Sequence, residues 1–263
     1  MIRPAIVFAV VRRELLEIVR NRTLLAAIVL PPILLVAIPI LVTALGARNS
    51  LPPDVVANLV AARPEWAGLS PRQVADAFGL QQTLLFFLLM PATIPLAIAS
   101  YSIVGEKQTR SLEAVIAAPI STAELLAGKA IAAVAPAVVT VWLAYAALIV
   151  VAGVALGTEL ARIVIDPTWL ATVFVLGPAI GLLSVVIGMA ISSRVNDPRA
   201  AQQLGTVIVL PLFGFFVIQL QSGHLLSARE YLLAAAAVFA VGVAGLRVGV
   251  RLFGRESILT RWR

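Results

Sequence analysis

The chain has 263 residues, 61% of them apolar and 13% charged, with a mean hydropathy of +1.02; a soluble domain is roughly 45–50% apolar and about 25% charged. A water-soluble enzyme of this size would have no polar coat, and the same figures exclude a disordered or low-complexity chain. The formal charge of +7 would point to nucleic acid in a soluble protein, but to a Lys/Arg-rich cytoplasmic surface in a membrane protein.

The first element is an amphipathic helix over residues 4–20, opened by Pro4 near its first turn. Val7, Val11, Leu15 and Ile18 make an apolar stripe, widened by Phe8 and Val19, and Arg13, Glu14, Glu17 and Arg20 take the opposite face. Such a helix lies in the inner headgroup layer. Charge-free runs follow at 23–47, 77–105, 130–158, 167–193, 200–228 and 231–246. The first five hold 25 to 29 residues each, above the roughly 20 that cross about 30 Å of hydrocarbon. The sixth holds 16, and a snorkelling Arg247 extends it to Val250. The expected fold is therefore an all-α membrane protein of about six transmembrane helices in one domain, 1–263. The length and prolines of the first run, after 22 residues that include charges, favour a retained span over a cleaved signal.

Partition of the charges tests this topology. With both termini inside, segments 1–22, 106–129, 194–199 and 247–263 hold 15 Lys/Arg and 7 Asp/Glu, a net of +8. The outer loops 48–76, 159–166 and 229–230 hold 5 basic and 6 acidic residues, a net of −1. The charged face is cytoplasmic by the positive-inside rule, and nucleic acid drops out as a partner. The loop 48–76 carries Pro52, Pro53, Pro64 and Pro71 and two short helices, with Ser70–Pro71 as a cap followed by proline at the first helical position. The tail arginines Arg247, Arg251 and Arg255 share a helix face suited to anionic lipid.

The spans contain many prolines: Pro31, Pro32, Pro39, Pro91, Pro95, Pro136, Pro178 and Pro211. Each removes a helix hydrogen bond and favours a kink or break. No Asp, Glu, Lys or Arg lies deep in the first five spans, so the relay of a proton-coupled carrier is missing. There is no cysteine, and the single histidine, His224, has no carboxylate in its span; neither a metal site nor an activated nucleophile is visible. Ser184 and Thr140 lack a base and read as helix-packing hydroxyls. Gly128-Lys129 is followed by Ala130, with Ala123 five residues before Gly128, so the phosphate-binding GxxxxGK[ST] loop is absent. The chain reads as a non-enzyme that binds no cofactor of its own. An active transporter built this way draws its energy from another polypeptide.

The most informative stretch is the cytoplasmic segment 106–129. Residues 106–118 suit a short amphipathic helix with Leu112, Val115 and Ile116 on one side, ended by Pro119. Ser121 and Glu124 then form a capping box leading into the third span. This helix, turn and helix would present a short rigid element to a soluble partner. The pattern Ser102-Ile103-Val104-Gly105-Glu106-Lys107, Ser111-Leu112-Glu113, Ala118-Pro119-Ile120-Ser121, Glu124-Leu125-Leu126 and Gly128-Lys129 resembles the ABC-2 family of ABC transporter permeases. Arg110, where many members carry glycine, and the leucine-poor Ala114-Val115-Ile116 depart from the family pattern.

The resemblance implies a permease subunit that pairs with a separate ATP-binding cassette subunit, where ATP and magnesium would be bound, and with a second permease copy or paralogue. It implies a coupling helix between spans two and three. Carried over, the coupling interface comprises Glu106, Lys107, Arg110, Leu112, Glu113, Ile116, Pro119, Ser121, Glu124 and Lys129. The expected activity is ATP-driven transport, in the export direction, across the plasma (inner) membrane. Eighteen Arg against two Lys fit a GC-rich bacterial genome. The competing readings are an ion-coupled secondary transporter, which would work without any cassette ATPase, and a non-transporting membrane scaffold, which would be indifferent to changes at Leu112 and Glu113.

Overall fold

The computed structural model of the chain describes residues 3–44, 51–108, 120–195, 197–222 and 225–252, and these are helical throughout apart from their connections. Among them, five helices or helix series are long and apolar enough to cross a membrane: Arg22–Thr43, Pro71–Glu106, Thr122–Ala155, Thr158–Ser192 and Ala228–Val250.

α1 (Pro4–Arg20) is the amphipathic helix expected ahead of the first span. Its docking face differs from the expected one. At about 100° per residue, the apolar stripe and the charged residues form two neighbouring arcs, and the protein covers the seam between them, burying Val10, Glu14 and Ile18. Glu14 is thus interior rather than part of the polar face, because docking at the seam takes in the edge of the polar arc. Phe8 and Val19, at the edge of the apolar stripe, are 70% and 63% exposed. Asn21 then caps α2 (Arg22–Ala44), its side-chain oxygen accepting from the N–H groups of Thr23 (3.0 Å) and Leu24 (3.2 Å).

Between α2 and the next long helix lie α3 (Pro53–Ala62) and a 3₁₀ turn, Pro64–Trp66. α4 (Pro71–Phe87) starts with the expected cap: Ser70 Oγ accepts from the Gln73 N–H (3.3 Å), and the Gln73 side chain accepts from the Ser70 N–H (2.9 Å). α4 and α5 (Leu89–Gln108) make one long rod whose most apolar window is 83% buried, against 17% for α2 and 11% for α12 (Ala228–Leu252). This rod is the centre of the molecule. Around α5 pack α6 (Thr122–Ala155), α9 (Gly177–Ser192) and α10 (Pro198–Gly205), and α12 covers α9 from outside. Ser184 of α9 donates to the backbone carbonyl of Ala92 on α5, the expected helix-to-helix role, whereas Thr140 bonds the Pro136 carbonyl of its own helix (2.7 Å).

The prolines divide into two groups. Pro31, Pro32, Pro39, Pro95 and Pro136 sit inside helices that continue through them. Three others follow breaks. The rod turns at Leu88, next to the Phe87 carbonyl that Pro91 cannot satisfy; Pro178 follows a π-helical stretch, Thr172–Leu176; Pro211 follows a 3₁₀ turn, Thr206–Ile208. In each case the carbonyl four residues before the proline loses its partner and meets the ring, and the helix changes its winding there. For this reason the predicted fifth span, 200–228, is found as α10, the 3₁₀ turn and α11 (Val209–Ser222) rather than as one helix. His224 lies outside the described residues.

α6 turns into α7 (Thr158–Val164) at Gly157, whose φ of 90° falls in the left-handed region that a side chain disfavours. α8 (Pro167–Ala171) is capped by Asp166, which accepts from the N–H groups of Thr168 and Trp169. Trp169 is fully buried, stacks on Tyr145 at 5.8 Å, meets Phe87 edge-on at 5.5 Å and donates its ring N–H to Gln81 (3.2 Å). Arg63 ties the outer loop to this layer. Its guanidinium reaches Asp166 (3.1 Å), Thr168 (3.2 Å), the Leu226 carbonyl (3.1 Å) and Glu65 (3.3 Å). One side chain so joins the 3₁₀ turn, α8 and the approach to α12. Replacement Arg63→Ala is expected to lower stability by about 2–3 kcal/mol, seen as a lower thermal midpoint in detergent. Glu65→Gln, at a partner 55% exposed, should change it by less than about 1 kcal/mol.

Candidate functional site

The polar residues that sequence places between spans two and three gather where α5 ends and α6 begins, under α1. α6 begins with the predicted capping box: Ser121 Oγ accepts from the Glu124 N–H (3.2 Å), and Glu124 Oε2 accepts from the Ser121 N–H (2.9 Å). The same carboxylate, 1% exposed, receives Arg3 from just before α1. The Arg3 backbone N–H and Nε donate to Oε1 at 2.8 and 2.9 Å, and Nη2 donates to Oε2 at 3.0 Å. The hydrogen bond to Glu124 raises the Arg3 pKa above the ordinary arginine value.

One turn further along α6, α1 crosses at Gly128. A Cβ there would lie 2.6 Å from Val10 Cγ1 and 3.3 Å from the Val7 carbonyl oxygen, so the crossing needs glycine. Just beyond, Lys129 enters the interior at 6% exposure, with Glu14 and Glu106 each at 3%. Lys129 Nζ lies 2.7 Å from Glu14 Oε1, 3.0 Å from Glu106 Oε1 and 2.6 Å from Ser102 Oγ. Ser102 in turn donates to Glu14 Oε2 (2.7 Å). Arg13 closes the group from the solvent side, 3.3 Å from Glu106 and 3.0 Å from Glu17. Burial disfavours the Arg13 charge, and the carboxylates of Glu106, Glu17 and Glu14 together outweigh that effect, raising its pKa. Both ion pairs of Glu106 are made by Oε1, and neither of its oxygens has an aligned hydrogen bond among the described residues.

Three charge-bearing elements meet here: α1 through Glu14, the inner end of α5 through Ser102 and Glu106, and the start of α6 through Lys129. A space of about 10 Å³ against the cluster, walled also by Ile98, Ala99, Ile103 and Met189, has at most the room of one water. The arrangement is a clamp. It neutralises buried charge and fixes the two ends of the segment between α5 and α6 relative to each other.

Of the residues that the sequence marks, Glu106, Ser121, Glu124 and Lys129 come together in this clamp. Lys107 lies on the last turn of α5. Arg110, Leu112, Glu113, Ile116 and Pro119 lie outside the described residues, as does most of the predicted helix 106–118. Sequence reasoning missed Arg3, Arg13, Glu14 and Ser102 as members. Glu14 carried a readable signal, an acid between Val10 and Ile18 at i−4 and i+4, and Ser102 stood in the family-like pattern without being carried into the interface; Arg3 carried none, since its partner is distant in sequence. The outer Arg63–Asp166 group was missed too, although Asp166-Pro167 is a legible helix start.

Comparison with known families finds one model, described as ABC-2 family transporter protein, that matches residues 8–235. The match takes in α1 from Phe8 onward, the clamp residues apart from Arg3, and the described helices through the first turns of α12. No curated protein matches the chain.

A buried charge left without its partner is far worse than no charge at all. Lys129→Met should therefore lower stability by about 3–5 kcal/mol by leaving Glu14 and Glu106 facing each other. The pair Lys129→Met with Glu14→Gln should recover a large part of that loss, since Glu106 keeps Arg13. A double-mutant cycle on thermal midpoints in detergent measures this, and additive losses would contradict the clamp.

Proposed function

This chain belongs to the ABC-2 family of transporter proteins, and from that premise we propose that it is a permease subunit exporting its substrate with energy from a separate ATP-binding cassette subunit. A transmembrane component of a transporter is what the family assignment carries. The partner, the direction and the coupling route are our reading. The observation that supports the route is the clamp: Glu106 at the end of α5 and Lys129 at the start of α6 are 3.0 Å apart, holding both ends of the segment that would meet the ATPase. A push on that segment by a closing ATPase would reach α5, the buried central rod, and α1 together, because all three elements share Lys129. Two spans tied at their inner ends move as one lever on the pathway.

In this reading the docking residues are Arg110, Leu112, Glu113 and Ile116, with the turn Pro119–Ser121, and the clamp residues Glu106, Glu124 and Lys129 transmit rather than dock. ATP and magnesium sit in the partner. The chain works beside a second permease copy or a paralogue, in the plasma (inner) membrane of a bacterium, with six crossings and both termini in the cytoplasm. The crossing between the fourth and the last is the broken series α10 to α11. The low burial of α2 and α12 is consistent with faces left for lipid and a second copy. An ion-coupled carrier has no supporting feature in the described clamp, whose charges neutralise one another.

The two roles separate by experiment. Leu112→Ala with Glu113→Ala should abolish co-purification of the cassette ATPase. Lys129→Met with Glu14→Gln should keep it but reduce substrate-stimulated ATP hydrolysis by about tenfold, the effect of a misplacement worth about 1.4 kcal/mol in the activated state. Transport that persists after removal of every cassette ATPase would overturn the assignment of the energy source.

A further inference from the structure

α1 has a third face that neither the clamp nor the family assignment uses. About 100° per residue sets its outward side in the order Phe8, Val19, Arg12, Ala5, Leu16, Ala9, Arg20. Phe8, Leu16 and Val19 are 70%, 49% and 63% exposed. Over this face lies a shallow, open hollow lined by Ala5, Phe8, Ala9, Arg12, Leu16 and Arg20, with Arg13 and Glu17 beside them. Arg13 and Glu17, at one side of the hollow, pair with each other. Arg12 and Arg20 are exposed and make no ion pair among the described residues. Two uncompensated guanidinium groups therefore stand among apolar side chains, on a helix clamped to the cytoplasmic ends of two spans.

We propose that this hollow binds the headgroup phosphate of an anionic phospholipid, with Arg12 and Arg20 as its ligands and Phe8, Leu16 and Val19 against the upper acyl chain. Charge complementarity selects the occupant. A guanidinium offers paired donors that match phosphate oxygens, and the net charge of the outward face is cationic once Arg13 and Glu17 are set aside. A zwitterionic lipid brings its own ammonium and loses this advantage. The depth is right as well: the clamp holds α1 where spans leave the hydrocarbon, and long arginine side chains reach the phosphate layer from an apolar setting. Arg12 is the sharper ligand, since it lies between Val19 and Leu16 on the lipid-facing side, while Arg20 borders the aqueous side. This inference needs only the membrane placement of α1 and is independent of the ATPase partner.

The test uses the full chain in nanodiscs of phosphatidylcholine with a minor fraction of phosphatidylglycerol, released into detergent for native mass spectrometry of the lipid retained. The wild type should retain phosphatidylglycerol over phosphatidylcholine. Each of Arg12→Gln and Arg20→Gln should weaken that preference about fivefold, and the pair about 25-fold, from the usual strength of basic side chains at an anionic surface. Because the chain has no cysteine, Ala9→Cys carries a single environment-sensitive label that reports on the hollow directly and shows whether the variants remain folded. Its signal should shift with phosphatidylglycerol and not with free inorganic phosphate. Equal retention by the Gln variants, a response to free phosphate alone, or protection of the label only by an ATPase subunit would each overturn the proposal.

Discussion

An ammonium group removed from water must meet compensating charge at close range, and Lys129 does so within a shell of three oxygens from two other helices. In a low-dielectric interior such charge is stable only when its partners are correctly placed. That requirement decides where α1 sits, because Glu14 has nowhere else to be neutralised. It also joins the inner ends of α5 and α6 across a segment that has left the membrane. Apolar packing along the spans is tolerant of sliding, since lipid is as apolar as a leucine side chain. The clamp is not tolerant, and it fixes the register at the end where a soluble partner would act.

The same helix serves three environments by dividing its circumference. The seam between its apolar and charged arcs meets protein, and in the membrane placement proposed above one exposed flank would meet lipid and the other water. A helix with only two faces could lie at the membrane surface or pack against the spans, but could not be held by both. Gly128 makes the contact close enough for the ion pairs on either side of it to form: Arg3 with Glu124 before the crossing, Glu14 with Lys129 after it. The outer end follows a similar plan with fewer charges, where Arg63 alone bridges the loop, α8 and the chain entering α12.

What could be read ahead of the structure was whatever depends on neighbours in sequence. The cap at Ser70, the capping box at Ser121 and the apolar lengths are of this kind. The break before Pro91, Pro178 and Pro211 was half legible, since proline forbids a bond wherever it stands. Whether the helix continues regardless, as at Pro31 or Pro136, depends on neighbours that can satisfy or shield the freed carbonyl. Glu14 was misplaced for a related reason. Periodicity separates apolar from polar arcs, but only tertiary packing decides which angle between them is buried. Four clamp residues were named in advance from a local motif, and their partners on α1 were not, because the pairing spans more than a hundred positions.

That separation has a consequence for biogenesis. Glu14 and Lys129 are 115 residues apart, so at about 5–20 residues per second α1 waits roughly 6–23 s for its partner to be synthesised. During that interval Glu14 is not yet neutralised, and α1 must rest at the membrane surface with the acid in water. In the proposed topology Lys129 would then emerge as a cation that helps hold the start of the third span on the cytoplasmic side. When the two meet, the charge that oriented the span is absorbed into the interior. Insertion and assembly thus use one lysine in succession, first as a topology signal and then as a lock.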